Sequence, residues 1–180
     1  MSKAFSLAKI FEEVILEVGD LEKIPPYELD SNDKFETDSG IIGKVFIQDL
    51  EEEDLFSLKS IPQPLSKLLT NTKGNKLIYN IGFSVNKEDG ETEQKSYDTS
   101  LSELLRIYKT VLDKVKSIII KDQPLCVFIF AALDSKANVK SEIYWRILNN
   151  NIPTGYRAYS GIKLKKEVGG TEGSMILRNR

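Results

Sequence analysis

The side chains that could react or bind ions are a single cysteine, an acidic run and a group of C-terminal lysines. The 180-residue sequence contains no histidine, and its one cysteine is Cys126. A Ser-His-Asp triad, a Cys-His pair and an imidazole proton shuttle are therefore excluded, as are a disulfide within the chain and zinc sites that use histidine or several cysteines. Oxygen ligands for magnesium or calcium remain. Much of the usual catalytic repertoire is closed to this chain.

Neither the acidic run nor the cysteine has the surroundings of a reactive site. The run consists of Asp49 and Glu51–Asp54, and it lacks the regular ligand spacing of a calcium loop. We expect this run and the proline-framed segment after it, up to Leu69, to form an exposed excursion between strands, without a metal or a cofactor. Cys126 lies inside the apolar run 125–133, where a thiol is typical of a small buried group.

The lysines Lys163, Lys165 and Lys166, together with Arg178 and Arg180, could form a basic edge beside Tyr156 and Tyr159. A basic surface with aromatic side chains can bind single-stranded nucleic acid. Lysines on an edge strand more often prevent strands of different molecules from pairing, and we favour this interpretation. The formal net charge of −2 and the pI of about 5.4 also argue against nucleic acid as the main partner.

The N-terminal segment predicts an amphipathic helix over residues 5–18. Its apolar side chains recur at helical spacing, and Gly19 and Pro25-Pro26 end the pattern. Such a helix either packs on its own domain, which is the more common arrangement, or docks on a partner. Charged residues interrupt any signal-peptide core, and the run 125–133 is about half the length of a membrane-spanning helix. We therefore expect a cytoplasmic protein without a membrane segment.

The rest of the chain predicts an α+β fold, in which helices flank a mostly antiparallel sheet within one domain over residues 1–180. Alternation with a period of two predicts a hairpin around the turn 38–40 and a long strand over 76–85. A continuous apolar stripe predicts a long helix from Leu101, and the run 125–133 predicts a central strand buried on both faces. The later patterns predict a helix over 139–148 and strands over 156–164 and 175–177.

From Lys76 onward the order of elements resembles the GNAT acyltransferase fold. Residues 143–148, Ile-Tyr-Trp-Arg-Ile-Leu, followed by Gly155-Tyr156, are similar to the late helix of that family, where a Leu-Tyr pair precedes a Gly-Phe turn. The family's tyrosine often acts as a general acid toward the sulfur of coenzyme A, so the resemblance implies this role for Tyr144. The family's glycine-rich pyrophosphate turn is replaced here by residues 96–103, which contain no glycine and include two acids that would repel the anion.

The same half of the chain is similar to a group of tailed-phage proteins of unknown role. These have a long amphipathic helix, an apolar strand that ends in small residues, and a helix that carries Arg or Leu-Tyr. The corresponding pieces here are residues 104–111, residues 127–132 and Ile143-Tyr144. The resemblance implies a phage-encoded, non-enzymatic protein.

Three hypotheses for the function follow. The first is a non-enzymatic protein-interaction component, such as a phage structural or accessory protein, whose partners are other proteins of the virion or the host. Trp145 and Ile107 are its candidate interface residues, because both lie off the apolar stripes of their predicted helices. The second is a divergent acyltransferase that uses Tyr144, and the third is a weak nucleic-acid-binding protein that uses Lys163, Lys165 and Lys166.

Trp145 gives the first hypothesis a direct test. It lies two residues after Ile143, or about 200° around the helix, and should therefore face away from the inward stripe. Replacement of Trp145 by alanine should weaken association by on the order of 2 kcal/mol and leave folding nearly unchanged. Sedimentation and melting temperature measure the two effects. A large loss of thermal stability without a change in association would instead place Trp145 in the core.

Overall fold

A computed structural model describes residues 23–74, 76–86, 101–130, 149–165 and 172–179. Its strands form one six-stranded sheet in the order β1-β2-β3-β4-β6-β5. Among the described pairs only β3 and β4 are parallel, so the predicted α+β class with a mostly antiparallel sheet is confirmed. The strands are β1 (Lys34–Glu36), β2 (Ile42–Leu50), β3 (Ile78–Asn86), β4 (Cys126–Phe130), β5 (Tyr156–Lys163) and β6 (Glu172–Arg178). The helices are α1 (Gln63–Asn71), α2 (Leu101–Asp122) and a 3₁₀ helix (Glu52–Ser57).

The predicted hairpin is present as β1 and β2. The Gly40 N–H donates to the Thr37 carbonyl, and Gly40 has a φ of 75°, which glycine adopts without strain. The register pairs Phe35 with Gly43, and the Phe35 ring occupies the space where a side chain at Gly43 would lie. Phe35 also stacks on Tyr27 with 5.7 Å between ring centroids. The ring is thus fixed from two sides.

Strand β4 is the buried centre of the sheet, as predicted. It pairs in parallel with β3 and antiparallel with β6. Cys126, Val127 and Phe128 each have a relative exposure of 0%. A layer of helix covers each face of this strand, so apolar side chains suit both faces. The prediction of a central strand buried on both faces is therefore confirmed. The predicted burial of Cys126 is confirmed as well.

Helix α2 covers one face of the sheet. Its apolar stripe packs against alternate side chains of the central strands. The main helix residues of this core are Tyr108, Val111, Leu112, Val115, Ile118 and Ile119, and the main sheet residues are Val45, Ile81, Val127, Ile129 and Ile176.

The opposite face has a second core, in a region expected to be an exposed excursion. That expectation is wrong for the leucines of the 3₁₀ helix and α1. Leu55, Leu58, Leu65 and Leu69 are buried and pack on the side chains that β4 and its neighbours direct to this face. The charges and prolines of the segment lie outward, while the leucines supply the cover that the second face of β4 requires.

The burial of Ile107 contradicts a second expectation from the sequence. This residue was predicted to be exposed as an interface residue, but its relative exposure is 2% and it belongs to the α2 core. The reason is helical geometry, because Ile107 lies about three turns before Ile118 and therefore within about 20° of it around the helix. The chain before β1 also contacts this side of α2, where the Tyr27 N–H donates to Thr110 Oγ1 at 2.8 Å. Ile107 is a core residue.

Gly43→Ala should destabilise the protein, and Gly82→Ala is its matched control. A Cβ at position 43 would lie 2.2 Å from Phe35 Cζ, whereas a Cβ at position 82 meets nothing within 4 Å. Because Phe35 is itself packed, we expect a loss of about 1–3 kcal/mol for Gly43→Ala and a change below about 1 kcal/mol for Gly82→Ala. Urea unfolding measures both free energies. Equal effects would contradict the described packing.

The Cys126 thiol should make the stability depend on alkaline pH. Burial raises the pKa of this thiol well above its ordinary value of 9.0. As the pH rises above about 9, the unfolded chain loses this proton while the folded chain keeps it, so the free energy of unfolding falls. The wild type should therefore lose stability relative to Cys126→Ala, by up to about 1.4 kcal/mol per pH unit. Urea unfolding of both proteins in reductant at pH 7.5, 9 and 10 measures this difference, and a constant difference would refute it.

Candidate functional site

In the part of the chain that the structure describes, the second half of strand β2 is an open edge of the sheet. Strand β1 pairs only with Ile42–Lys44, and among the described residues no strand covers the same side of β2 beyond Val45. We call residues Phe46–Leu50 the β2 edge. Phe46 and Ile47 have relative exposures of 45% and 37%, which is high for large apolar side chains within a strand.

The hydrogen-bonding groups of the β2 edge have a defined direction. The Val45 N–H donates to the Asp33 carbonyl at 2.9 Å, on the side of β1. Successive residues in a strand direct their peptide groups to alternate sides, so Ile47 and Asp49 direct theirs to the same side as Val45. Their N–H and C=O groups therefore face the open side, while those of Phe46 and Gln48 face β3. The edge can accept one further strand.

The C-terminal end of the β2 edge is acidic. Asp49, Glu51 and Glu53 are exposed. Two other acids have partners, since Glu52 pairs with Lys76 and Asp54 Oδ2 accepts the Glu51 N–H at 2.8 Å. The potential along the edge thus becomes more negative from Phe46 toward Glu53, which favours a partner with positive charge at that end.

Contacts of Arg106 and Glu103 fix the position of the β1–β2 hairpin beside helix α2. The Arg106 guanidinium donates from Nη1 to both carboxylate oxygens of Asp38, at 2.8 and 2.6 Å, and from Nε to the Pro25 carbonyl at 3.1 Å. It also lies over the Tyr27 ring, 3.9 Å from the centroid. The Ser39 N–H donates to Glu103 Oε1 at 2.8 Å. Because these contacts join the turn to α2, the turn has a fixed position beside the helix.

A second open surface lies between α1 and β5. This groove has a volume of about 630 Å³, and its walls include Gln63, Lys67, Leu68, Arg157, Tyr159 and Leu177. We call it the basic groove. Among the described residues its lining contains lysine and arginine but no acid.

Two of the lysines predicted for nucleic-acid binding, Lys163 and Lys165, lie outside the basic groove. Lys163 and Lys165 are exposed at the end of β5, but the backbone there pairs with the chain around the 3₁₀ helix. The Lys59 N–H donates to the Lys163 carbonyl and the Lys165 N–H to the Ser57 carbonyl, each at 2.8 Å. Lys166, Tyr144, Trp145 and the helix expected at 5–18 all lie outside the described residues.

Tyr159 and Arg178 were singled out from the sequence as part of a basic-aromatic surface, but their combination with α1 in one groove and the open side of β2 were not predicted. Period-two alternation places Ile47 on the same face as Val45, and it does not show where the cover of that face ends. The basic groove had no local signal, because Lys67 and Arg157 are far apart in the chain.

In the described ranges no helix is both long and apolar enough to cross a membrane. Over the same ranges no group of three or more Cys, Asp or Glu side chains could hold a metal ion.

Comparison with known proteins finds no matching family model, no matching curated protein and no matching solved structure. The geometry of the two open surfaces is therefore the basis for a functional assignment.

Proposed function

We propose that this protein is a non-enzymatic interaction component that binds an extended segment of a partner protein along the β2 edge. The observation that carries this proposal is the exposure of Phe46 and Ile47 beside peptide groups that face the open side. Strand addition uses this combination, because main-chain hydrogen bonds give affinity and alternate side chains give specificity. Unprotected apolar edges are otherwise rare, since they promote aggregation.

The proposed partner segment is a short antiparallel strand with apolar residues and a basic N-terminal end. An antiparallel strand places its N-terminus beside the C-terminal end of the β2 edge, where Asp49, Glu51 and Glu53 are exposed. Lysine or arginine there would complement the acids. Ile47 and Asp49 offer the main-chain bonds, and each bond contributes about 0.5–1.5 kcal/mol net. Contacts of this size suit a weak, reversible interaction or one site within a larger assembly.

The biological setting that we propose is a phage particle or its host cell, in which the protein is a structural or accessory component. The basis for this setting is the resemblance, noted from the sequence alone, of residues 104–111, residues 127–132 and Ile143-Tyr144 to tailed-phage proteins. Assemblies of that kind are built from many modest contacts between subunits, which is the type of contact that the β2 edge offers.

A synthetic peptide tests strand addition. The probe is an acetylated peptide with two lysines followed by alternating valine and threonine, titrated into the full-length protein and followed by NMR. The amides of Ile47 and Asp49 should shift and become protected from hydrogen exchange. Ile47→Pro removes an N–H that faces the open side and should weaken binding by about tenfold or more. Ile47→Val keeps the N–H and should bind within about twofold of the wild type.

A charge reversal at Asp49 gives a second test, which does not require the strand to accommodate a proline. Asp49→Lys should weaken binding of the lysine peptide and strengthen binding of a peptide with glutamates in place of the lysines. The proposal fails if the Ile47 and Asp49 amides do not respond to the peptide. It also fails if Ile47→Pro, still folded by its melting curve, binds as tightly as Ile47→Val.

A further inference from the structure

The two walls of the basic groove present regularly spaced polar side chains. Gln63, Lys67 and Asn71 stand at i, i+4 and i+8 on α1 and form one exposed stripe of that helix. Arg157 and Tyr159 stand at i and i+2 on β5 and therefore project on one face of the sheet. The groove is thus built from a helix and a strand, which hold their side chains more rigidly than a loop would.

The cations of the basic groove have no carboxylate partner among the described residues, whereas some other cations do. Elsewhere the side chains of Lys76, Lys114 and Arg106 pair with carboxylates. For Lys67 and Arg157, no ion pair or hydrogen bond of the side chain occurs within the described ranges, and the groove lining contains no acid that could neutralise them. Arg178, at one end, donates to the Gln123 carbonyl at 3.0 Å. Two unneutralised charges on facing walls produce a positive potential inside a concave surface.

The groove also has an apolar surface. Tyr159 and Leu68 are partly buried and pack on the core that contains Leu177. The tyrosine ring is flat, which suits stacking of another planar group. The side-chain amides of Gln63 and Asn71 can each donate and accept hydrogen bonds.

We propose that the basic groove binds a phosphorylated small molecule with a flat ring, in the size class of a nucleoside monophosphate. Lys67 and Arg157 would bind the phosphate from opposite walls, where a tetrahedral anion can accept from both. The ring would lie against Tyr159 and the leucines, with its polar edge toward the amides. The volume of about 630 Å³ falls in the range of roughly 300–1,000 Å³ that is usual for small-molecule sites. This proposal is independent of strand addition at the β2 edge.

An NMR titration of the full-length protein tests the proposal. The probes are adenosine monophosphate, uridine monophosphate, their uncharged nucleosides and inorganic phosphate. The monophosphates should shift the amides of Lys67, Asn71, Arg157 and Tyr159. Inorganic phosphate should shift the same wall residues with an affinity at least about tenfold weaker, and the nucleosides should also bind at least about tenfold more weakly.

Matched substitutions distinguish binding in the basic groove from a general effect of the net charge of the protein. Lys67→Gln and Arg157→Gln should each raise the dissociation constant about tenfold. Lys163→Gln removes the same charge as Lys67→Gln from an exposed site outside the groove, and it should change the constant less than about twofold. Melting curves confirm that each variant is folded.

Three results would overturn the proposal. One is the absence of shifts at Arg157 and Tyr159 with either monophosphate. Another is an equal effect of Lys67→Gln and Lys163→Gln, since binding would then be a matter of net charge. The third is binding of a single-stranded oligonucleotide without binding of the monophosphates, which would make the surface a strand-binding one. Loss of peptide binding in Ile47→Pro should leave the nucleotide titration unchanged.

Discussion

Strand β4 has to be buried on both faces, and the other elements are arranged around this requirement. Its residues Cys126–Phe130 are apolar without alternation, so neither face tolerates water. Helix α2 covers one face, and the leucines of the 3₁₀ helix and α1 cover the other. The chain before β1 then crosses α2 and is joined to it through Arg106 and Tyr27. These layers form the two cores on either side of the sheet.

Because the surrounding elements cover β4 at the centre of the sheet, the outer strands are covered less completely. Strand β1 is short and protects only the beginning of β2, so within the described ranges Phe46–Leu50 remain open on one side of the strand. At the other side α1 packs over β6 but leaves a groove against β5, and Lys67 and Arg157 both line this groove. The β2 edge thus arises where strand β1 ends, and the basic groove arises where the cover by α1 ends. One offers main-chain groups with apolar side chains, and the other offers positive charge with a flat ring.

Local patterns predicted the elements that depend on local sequence. The run at 125–133, the stripe of α2 and the turn at 38–40 each specified an element and its burial, because periodicity and turn chemistry act over a few residues. Ile107 was misjudged although its angular position near Ile118 was already available from the sequence. Leu65 and Leu69 stand at i and i+4, which is a local signal of a buried helix face, but the strand that they cover lies far along the chain and no local pattern indicates it. The β2 edge and the basic groove depend on where neighbouring elements end, so they became visible only in the folded chain.

Strand β4 is paired on both sides, whereas the second half of β2 is unpaired on one side among the residues that the structure describes. Amide hydrogen exchange of the free, full-length protein tests this difference most directly. Amides of Val127–Ile129 should exchange only through global unfolding, since β3 and β6 flank them. Along β2, the amides of Phe46 and Gln48 should be protected by β3, and those of Ile47 and Asp49 should exchange nearly as fast as in an unfolded chain. This alternation is the result that the account predicts. Equal protection of all four amides would mean that another segment already pairs with the β2 edge, and it would contradict the account.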